Sequence, residues 1–82
     1  MIQVFTGPQC RMARSYLRMS EDRLSDLAGI SKATLRKIEN TEGLPSIRIE
    51  NYEAIYNVLM ATGKIEFIGT DTVRLINLAS DK

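Results

Sequence analysis

The chain has 82 residues, of which 44% are hydrophobic and 26% are charged, and this is enough for one small folded domain. Its single cysteine excludes an internal disulfide, and it has no histidine to complete a zinc site, so we expect neither a metal nor a cofactor. The formal net charge of +1 indicates no particular class of partner. Because it has neither an apolar run long enough for a bilayer nor a signal-peptide pattern at Met1, we expect a cytoplasmic protein.

The first helix is predicted from the segment TGPQCRMARSYLRM, which opens with a helix-start signal. Thr6 followed three residues later by Gln9 fits a capping box, and Pro8 is tolerated in the first turn of a helix. Helical spacing then gives an apolar face of Ala13, Tyr16 and Leu17. We expect Cys10 to be a small buried hydrophobic residue rather than a redox sensor.

A glycine interrupts the next segment, SEDRLSDLAGISKATLRKIEN. Ser20 is an N-cap candidate, and the apolar residues that follow it at helical spacing are Leu24, Leu27 and Ala28. Inside a continuous helix Gly29 would cost about 1 kcal/mol relative to alanine, whereas at a helix C-terminus it reaches left-handed dihedrals without a steric penalty. Ser31 offers a new N-cap, after which Leu35 and Ile38 resume the apolar spacing. The sequence therefore predicts two short helices joined by a tight turn at Gly29.

One longer helix is predicted after this pair. The segment TEGLPS at residues 41–46 has the composition of a loop. The helix then runs from Ser46 or Ile49 to Thr62, and Gly63 ends it. Its apolar side is formed by Tyr52, Ile55, Tyr56 and Leu59.

The tail KIEFIGTDTVRLINL changes from helical to alternating periodicity, which predicts a β-hairpin around the turn segment GTDT. The alternating residues are Ile65, Glu66 and Phe67 before the turn, and Val73, Arg74 and Leu75 after it. The segment IQVF at residues 2–5 is a candidate third strand. Because an isolated hairpin is marginal in water, this one must pack on the helices or pair with another chain. We predict a mainly α fold in one domain, residues 1–82, with a helical bundle over 6–62 and the hairpin over 63–78.

Two short helices joined by a turn with glycine are typical of the helix-turn-helix motif. The segment RMARSYLRMSEDRLSDLAGISKATLRKIEN resembles the phage repressor and Cro-type (XRE-like) DNA-binding domains. The core and turn positions of that family correspond here to Leu24, Ala28, Gly29, Ile30, Leu35 and Ile38. The opening TGPQCRMARSYL and the ending ATGKIEFI…TVRL are similar to a subgroup of short bacterial regulators with a C-terminal hairpin. The resemblance covers about residues 6–76 and implies a four-helix, lambda-repressor-like domain.

The second helix of the motif, residues 32–40, carries the candidate DNA contacts. In the helix-turn-helix motif the N-terminal part of this helix enters the major groove. Lysine binds guanine O6 and N7, and an alanine methyl contacts a thymine methyl. The resemblance implies base contacts from Lys32, Ala33 and Lys37. It implies phosphate contacts from Ser31, Thr34, Arg36 and Asn40.

Periodicity alone leaves a simpler alternative open. Lys32, Arg36 and Lys37 also fit the solvated face of an ordinary surface helix. Arg14 is a different case, because the family pattern pairs this position with the glutamate near the end of the recognition helix, here Glu39. The resemblance therefore implies a structural, partly buried ion pair between Arg14 and Glu39.

Three features depart from the family pattern and weaken the case for DNA. Glu21 stands where glutamine is common, and with Asp22 it suits the positive end of a helix dipole but would oppose a phosphate. Thr41 and Glu42 follow the EN pair directly, where the family usually has glycine. The loop at residues 41–46 contains no lysine or arginine. Because affinity rises with the number of phosphates neutralised, we expect weak binding by a monomer and useful binding only by a homodimer on a two-fold site.

The hairpin is the predicted dimerisation element, with contacts from Ile65, Phe67, Val73 and Leu75. Its apolar residues lie on both faces and exceed what one small helical layer needs. Pairing of two hairpin edges would cover the surplus. The alternative is a hairpin folded onto the chain's own helices.

The sequence thus predicts a regulator of transcription that binds double-stranded DNA as a homodimer, in the form of a repressor on a palindromic operator. The competing class is a protein-interaction module, such as an antitoxin or regulatory subunit that retains the fold, and the acidic residues Glu21, Asp22 and Glu42 favour it. An enzyme is the weakest interpretation, because no base stands beside Cys10 and no glycine-rich phosphate loop is present. No membrane or small-molecule partner is indicated.

Overall fold

Four helices precede a two-stranded antiparallel sheet in the computed structural model, which describes residues 4–44 and 46–76. The elements are α1 (Gly7–Tyr16), α2 (Glu21–Ala28), α3 (Lys32–Glu39), α4 (Ile49–Ala61), β1 (Ile65–Ile68) and β2 (Thr72–Leu75). The predicted mainly α class with a C-terminal hairpin is confirmed. Of the two predicted starts of the last helix, the later one is observed.

Side-chain caps explain where the first three helices begin. The Thr6 hydroxyl accepts a hydrogen bond from the backbone N–H of Gln9 at 3.2 Å, and the Gln9 side chain accepts one from the Thr6 N–H at 2.9 Å. These two bonds complete the predicted capping box. Ser20 and Ser31 cap α2 and α3, each accepting from the N–H three residues further on at 3.0 Å. No side-chain bond caps α4, so tertiary packing has to define its start.

The predicted turn between two short helices is confirmed at Gly29, which has φ 72° and ψ 30°. Its N–H donates to the Asp26 carbonyl at 3.2 Å, and the Ile30 N–H donates to the Ser25 carbonyl at 3.1 Å. These bonds satisfy carbonyls that the end of α2 would otherwise leave unpaired. A Cβ at Gly29 would meet no heavy atom within 4 Å, so glycine is needed for its backbone conformation and not for space.

The N-terminus of α1 lies directly against the C-terminal end of α3. The N–H of Gly7 donates to the Gly43 carbonyl at 3.3 Å. A Cβ at Gly7 would overlap the carbonyl oxygen of Thr41 and lie only 2.6 Å from that of Ile38. Only glycine therefore fits between the two helices. Sequence periodicity did not predict this contact, because it joins segments that are distant in the chain.

Gln9 fastens the hairpin to the start of α1. Its side-chain amide nitrogen donates to the carbonyl oxygens of Gly69 at 3.1 Å and Thr72 at 3.0 Å. The Thr6 hydroxyl adds a bond of 3.1 Å to the Thr70 carbonyl. Gln9 is fully buried, and these bonds together with the capping box satisfy both its amide oxygen and its amide nitrogen.

The hairpin folds onto the chain's own helices. In its register Phe67 lies opposite Val73, and Ile65 lies opposite Leu75. Ile65 and Phe67 are only 2% and 3% exposed and belong to the core, and Val73 packs against it. The side chains of Ile65 and Phe67 are therefore not free to contact a second chain, which corrects their predicted role in dimerisation. Leu75 differs, because its side chain remains 51% exposed.

The predicted third strand lies partly outside the described residues, at residues 2–3. Val4 and Phe5 are described, and neither is part of a strand. Phe5 is fully buried, with its ring centroid 5.1 Å from that of Phe67 and 5.2 Å from that of Tyr52. Each such ring pair adds about 0.5–1.5 kcal/mol beyond the area it buries. The described part of this segment thus contributes an aromatic side chain to the core.

The core lies where the helices and the inner face of the hairpin meet. Its residues are Phe5, Cys10, Ala13, Leu24, Leu35, Ile38, Tyr52, Ile55, Leu59, Ile65 and Phe67. Two residues predicted on apolar faces, Tyr16 and Leu27, are instead exposed. Both lie at the margin of the apolar face of their helix. The spacing of apolar residues in the sequence does not determine how much of that face the neighbouring elements cover.

Candidate nucleic-acid interface

The inward face of the helix α3 packs against the core, and its outward face presents mainly polar side chains. Leu35 and Ile38 are fully buried, and Glu39 next to them is almost so. The predicted base contacts, Lys32, Ala33 and Lys37, are all exposed. Of the predicted phosphate contacts, the exposed ones are Ser31, Arg36 and Asn40, and Thr34 is half-buried. All of them lie on one short helix and its two capping residues.

The hydroxyl groups at the start of α3 already have partners. Ser31 Oγ accepts the N–H of Thr34 at 3.0 Å and donates its own hydrogen to Thr34 Oγ1 at 2.8 Å. The Ser31 hydroxyl thus serves as the helix cap, and a phosphate contact would have to displace its bond to Thr34. Thr34 accepts in that bond, so its hydroxyl hydrogen can still be donated to an incoming oxygen.

Two of the outward cations of α3 are paired with carboxylates at the start of α2. Lys32 Nζ lies 2.9 Å from Asp22 Oδ1, and Arg36 Nε lies 3.2 Å from Glu21 Oε1. Lys37 is exposed and has no carboxylate within 4 Å in the described part of the chain. The sequence places two carboxylates in the first turn of α2. Which cations these carboxylates contact depends on how α2 and α3 pack.

The predicted ion pair between Arg14 and Glu39 is confirmed. Arg14 Nε and its terminal nitrogen Nη2 bind the two Glu39 oxygens at 2.8 and 3.0 Å, and Nη1 donates to the Met19 carbonyl at 3.1 Å. The Glu39 side chain is 2% exposed and that of Arg14 is 21% exposed. The hydrogen bond to Glu39 raises the pKa of Arg14, so the guanidinium is charged at any working pH. The pair ties α1 to the C-terminal end of α3.

Cys10 is buried as predicted, and it also touches this ion pair. Its Sγ donates to Glu39 Oε2 at 3.5 Å. Burial, and then the negative charge of Glu39, raise the pKa of the Cys10 thiol far above its ordinary value. The thiol is therefore neutral at pH 7, and nucleophilic or redox chemistry, which requires the thiolate, is not favoured.

An open groove along the outer side of α1 was not predicted. Met12 and Tyr16 are both exposed, and they line it together with Pro8, Arg11 and Ser15. Its volume is about 540 Å³. The four-residue spacing of Met12 and Tyr16 on the same helix is the sequence signal that could have identified it.

Other kinds of site find no support in the described residues, 4–44 and 46–76. They contain no group of three or more cysteine and carboxylate side chains that could hold a metal ion. None of the helices among them has the length and apolar character needed to cross a membrane. In comparisons with known proteins, no family model matches the chain and no curated protein matches it.

Proposed function

We propose that this chain is a sequence-specific DNA-binding regulator of transcription, a cytoplasmic repressor that binds double-stranded DNA as a homodimer. The observation that carries the proposal is the arrangement of α3. Its inner face is fixed by Leu35, Ile38 and the Arg14–Glu39 pair, while its outer face exposes Lys32, Ala33 and Lys37. An α-helix is about 10–12 Å across with its side chains, which suits the width of a major groove. The protein acts by occupying its operator and catalyses no reaction.

The residues of α3 divide into two roles. Lys32 and Lys37 bind guanine O6 and N7, and Ala33 contacts a thymine methyl group. The phosphate contacts come from Ser31, Thr34, Arg36 and Asn40. Phosphate contacts set the position of the helix on the duplex, whereas base contacts discriminate between sequences. Substitutions in the two groups therefore have different effects on the operator that is selected.

Two copies of the chain bind one operator, because a single copy offers few cations to the DNA backbone. With Ile65 and Phe67 in the core, the exposed apolar residues of the hairpin are Ile68 and Leu75. These two residues are the candidates for contact with the second copy. A two-fold dimer of this kind places its recognition helices on half-sites about one helical turn apart.

The proposal is tested by selecting binding sites from a random duplex pool at two salt concentrations. We expect the wild-type protein to enrich a palindromic site, and Lys37→Ala to lose preference at one base pair in each half-site. Each lost base contact corresponds to about 1–3 kcal/mol of discrimination. Lys64→Ala is the matched control, since Lys64 is an exposed lysine that precedes β1 and does not lie on α3. Its selected site should equal that of the wild type.

Two results would count against base contacts from α3. One is binding of the pool without selection, and the other is a selected site that Lys37→Ala leaves unchanged. Loss of selection in Lys64→Ala would point to a general effect of charge instead.

A protein-interaction module remains the second candidate, and two observations favour it. Lys32 and Arg36 are already paired with carboxylates, and the groove on α1 is lined by the exposed side chains of Met12 and Tyr16. Such a module would show no salt-dependent affinity for DNA, whereas a DNA-binding domain loses affinity steeply as salt rises. A titration of duplex DNA at several salt concentrations therefore separates the two functions.

A further inference from the structure

The outward cations of α3 are not equally available to DNA. Lys32 and Arg36 each contact a carboxylate from the first turn of α2, and both contacts cross from one helix of the motif to the other. Asp22 and Lys32 are well exposed, as is Arg36, whereas Glu21 is half-buried. The pairs therefore lie on the surface that α3 would present to a duplex.

A carboxylate within 3.2 Å of a cation competes directly with a phosphate oxygen for the same N–H groups. Binding to a DNA backbone is driven by release of the counterions that lysine and arginine side chains replace. A cation that stays on its own carboxylate replaces none of these counterions. When a phosphate does displace the carboxylate, a second negative charge remains beside the phosphate and repels it. Both effects reduce backbone binding at Arg36, and at Lys32 wherever the duplex lacks the guanine that this lysine binds at an operator.

Exposed ion pairs are weak, so a well-fitted complex can still open them. At an operator, the base contacts of α3 contribute free energy that offsets the loss of the two pairs. On a random duplex no base contact is made, and the backbone alone has to displace both carboxylates. Opening the two pairs costs the same free energy in either complex, so the carboxylates lower affinity for an operator and for a random duplex by a similar factor, and only the operator has base contacts to offset this cost.

We propose that Glu21 and Asp22 are intramolecular competitors of the DNA backbone for Arg36 and Lys32, and that they lower the affinity of the domain for any duplex, so that tight binding requires the additional free energy of base contacts. The inference rests on the proposed DNA-binding function. It states that two carboxylates of α2 regulate the availability of the α3 cations to DNA. It assigns a role in setting DNA affinity to two residues that are not among the proposed DNA contacts.

The test compares the double variant Glu21→Gln/Asp22→Asn with the wild type. The matched control is Asp26→Asn/Glu53→Gln, which also removes two negative charges. Both residues are exposed, and neither is paired with a lysine or arginine in the described part of the chain, so the control releases no cation. The probes are a random-sequence 20-base-pair duplex and immobilised heparin, a polyanion without bases, each measured between 50 and 300 mM NaCl. Far-ultraviolet circular dichroism establishes that all three proteins are folded.

Release of each cation should steepen the slope of log K against log [salt] by about 0.9, and thus by up to roughly twice that in the double variant. Affinity for the random duplex at 0.1 M salt should rise on the order of tenfold. Elution from heparin should move to higher salt, and the control should show a much smaller change in each measurement. Affinity for a selected operator should rise by a similar factor, because the same two pairs are opened there.

Equal shifts in the double variant and the control would overturn the competition, since net charge alone would then explain them. Failure of the double variant to bind duplex or heparin even at 50 mM would also overturn it. A third result would contradict the proposed function but not the competition. If the variant gains affinity for both probes while the wild-type protein selects no site, Glu21 and Asp22 do compete for the cations, but the surface they cover is not that of an operator-binding regulator.

Discussion

At the scale of single residues, the buried carboxylate of Glu39 requires hydrogen-bond donors to compensate its charge. A carboxylate that is 2% exposed must be matched by donors, and Arg14 supplies two of them while Cys10 supplies a third. Arg14 also reaches the Met19 carbonyl, so one side chain links α1, the segment before α2 and the end of α3. Removing Arg14 leaves the Glu39 carboxylate buried without its partner, which costs much more than losing an exposed ion pair.

We expect Arg14→Met to lower the free energy of unfolding by about 3 kcal/mol, the lower end of the range for breaking a buried pair, because Arg14 is partly exposed. Urea denaturation measures the change. The double variant Arg14→Met/Glu39→Met should be more stable than Arg14→Met alone, since it leaves no unpaired charge. Arg11→Met, at an exposed arginine of the same helix, is the control and should stay within about 0.5 kcal/mol of the wild type. A double variant less stable than the single one would contradict the explanation.

Gly7 provides a second prediction, based on space and not on charge. A Cβ at this position would overlap the Thr41 carbonyl oxygen and press on that of Ile38, so Gly7→Ala must push α1 away from α3. We expect a loss of at least about 2 kcal/mol, which lowers Tm by roughly 8 °C or more in a domain of this size. Gly43→Ala is the matched control, because a Cβ there meets nothing within 4 Å. Its Tm should equal or exceed that of the wild type. Similar losses in both variants would show that space at Gly7 is not the cause.

At the scale of elements, the hairpin depends on α1 for its position. The Gln9 amide donates to two carbonyl oxygens around the hairpin turn, and its oxygen remains in the capping box. One side chain thus sets both the start of a helix and the docking of a sheet. Loss of its donors would leave two carbonyl groups of the turn unpaired, each at a cost of about 1–3 kcal/mol when buried.

Gln9→Glu keeps the shape of the side chain but replaces the donor by an oxygen that faces two carbonyl groups. We expect destabilisation of at least about 2 kcal/mol and faster hydrogen exchange in the hairpin than in α2 and α3. The N–H of Ile76, which bonds the Lys64 carbonyl at 2.8 Å, is a suitable reporter. Asn57→Asp makes the same chemical change at an exposed site on α4 and should leave exchange unaltered. Uniform loss of protection throughout the domain would contradict local release of the hairpin.

The sequence predicted those features that neighbouring residues determine. Caps at Thr6, Ser20 and Ser31 act over three residues, and the turn at Gly29 follows from one backbone conformation, so all four could be predicted. The Arg14–Glu39 pair came from the family resemblance. The remaining contacts depend on how the elements pack, which periodicity does not specify. These are the fit of Gly7, the bonds of Gln9 to the hairpin, the burial of Ile65 and Phe67, and the carboxylates on Lys32 and Arg36.

At the scale of the whole molecule, the proposed homodimer depends on what the hairpin leaves exposed. We expect Leu75→Lys to shift the chain from dimer to monomer in sedimentation equilibrium, because a charge at an apolar contact has to be desolvated. Operator affinity should fall with it. Leu44→Lys is the control, since Leu44 is exposed to the same extent, 51%, but lies in the loop before α4. A wild-type protein that is monomeric at all concentrations, or equal effects of both variants, would contradict dimerisation through the hairpin.

The bonds of Gln9 also determine when the domain can be completed during its synthesis. They join residues separated by 60 and 63 positions in the chain. At a translation rate of about 5–20 residues per second, the ribosome needs roughly 3–12 s to add the partners of this side chain. Helices form in about a microsecond, so helix formation does not limit this step. During those seconds the start of α1 and the apolar surface that receives β1 remain open to chaperones and proteases. The nascent chain is therefore most vulnerable just before the hairpin emerges.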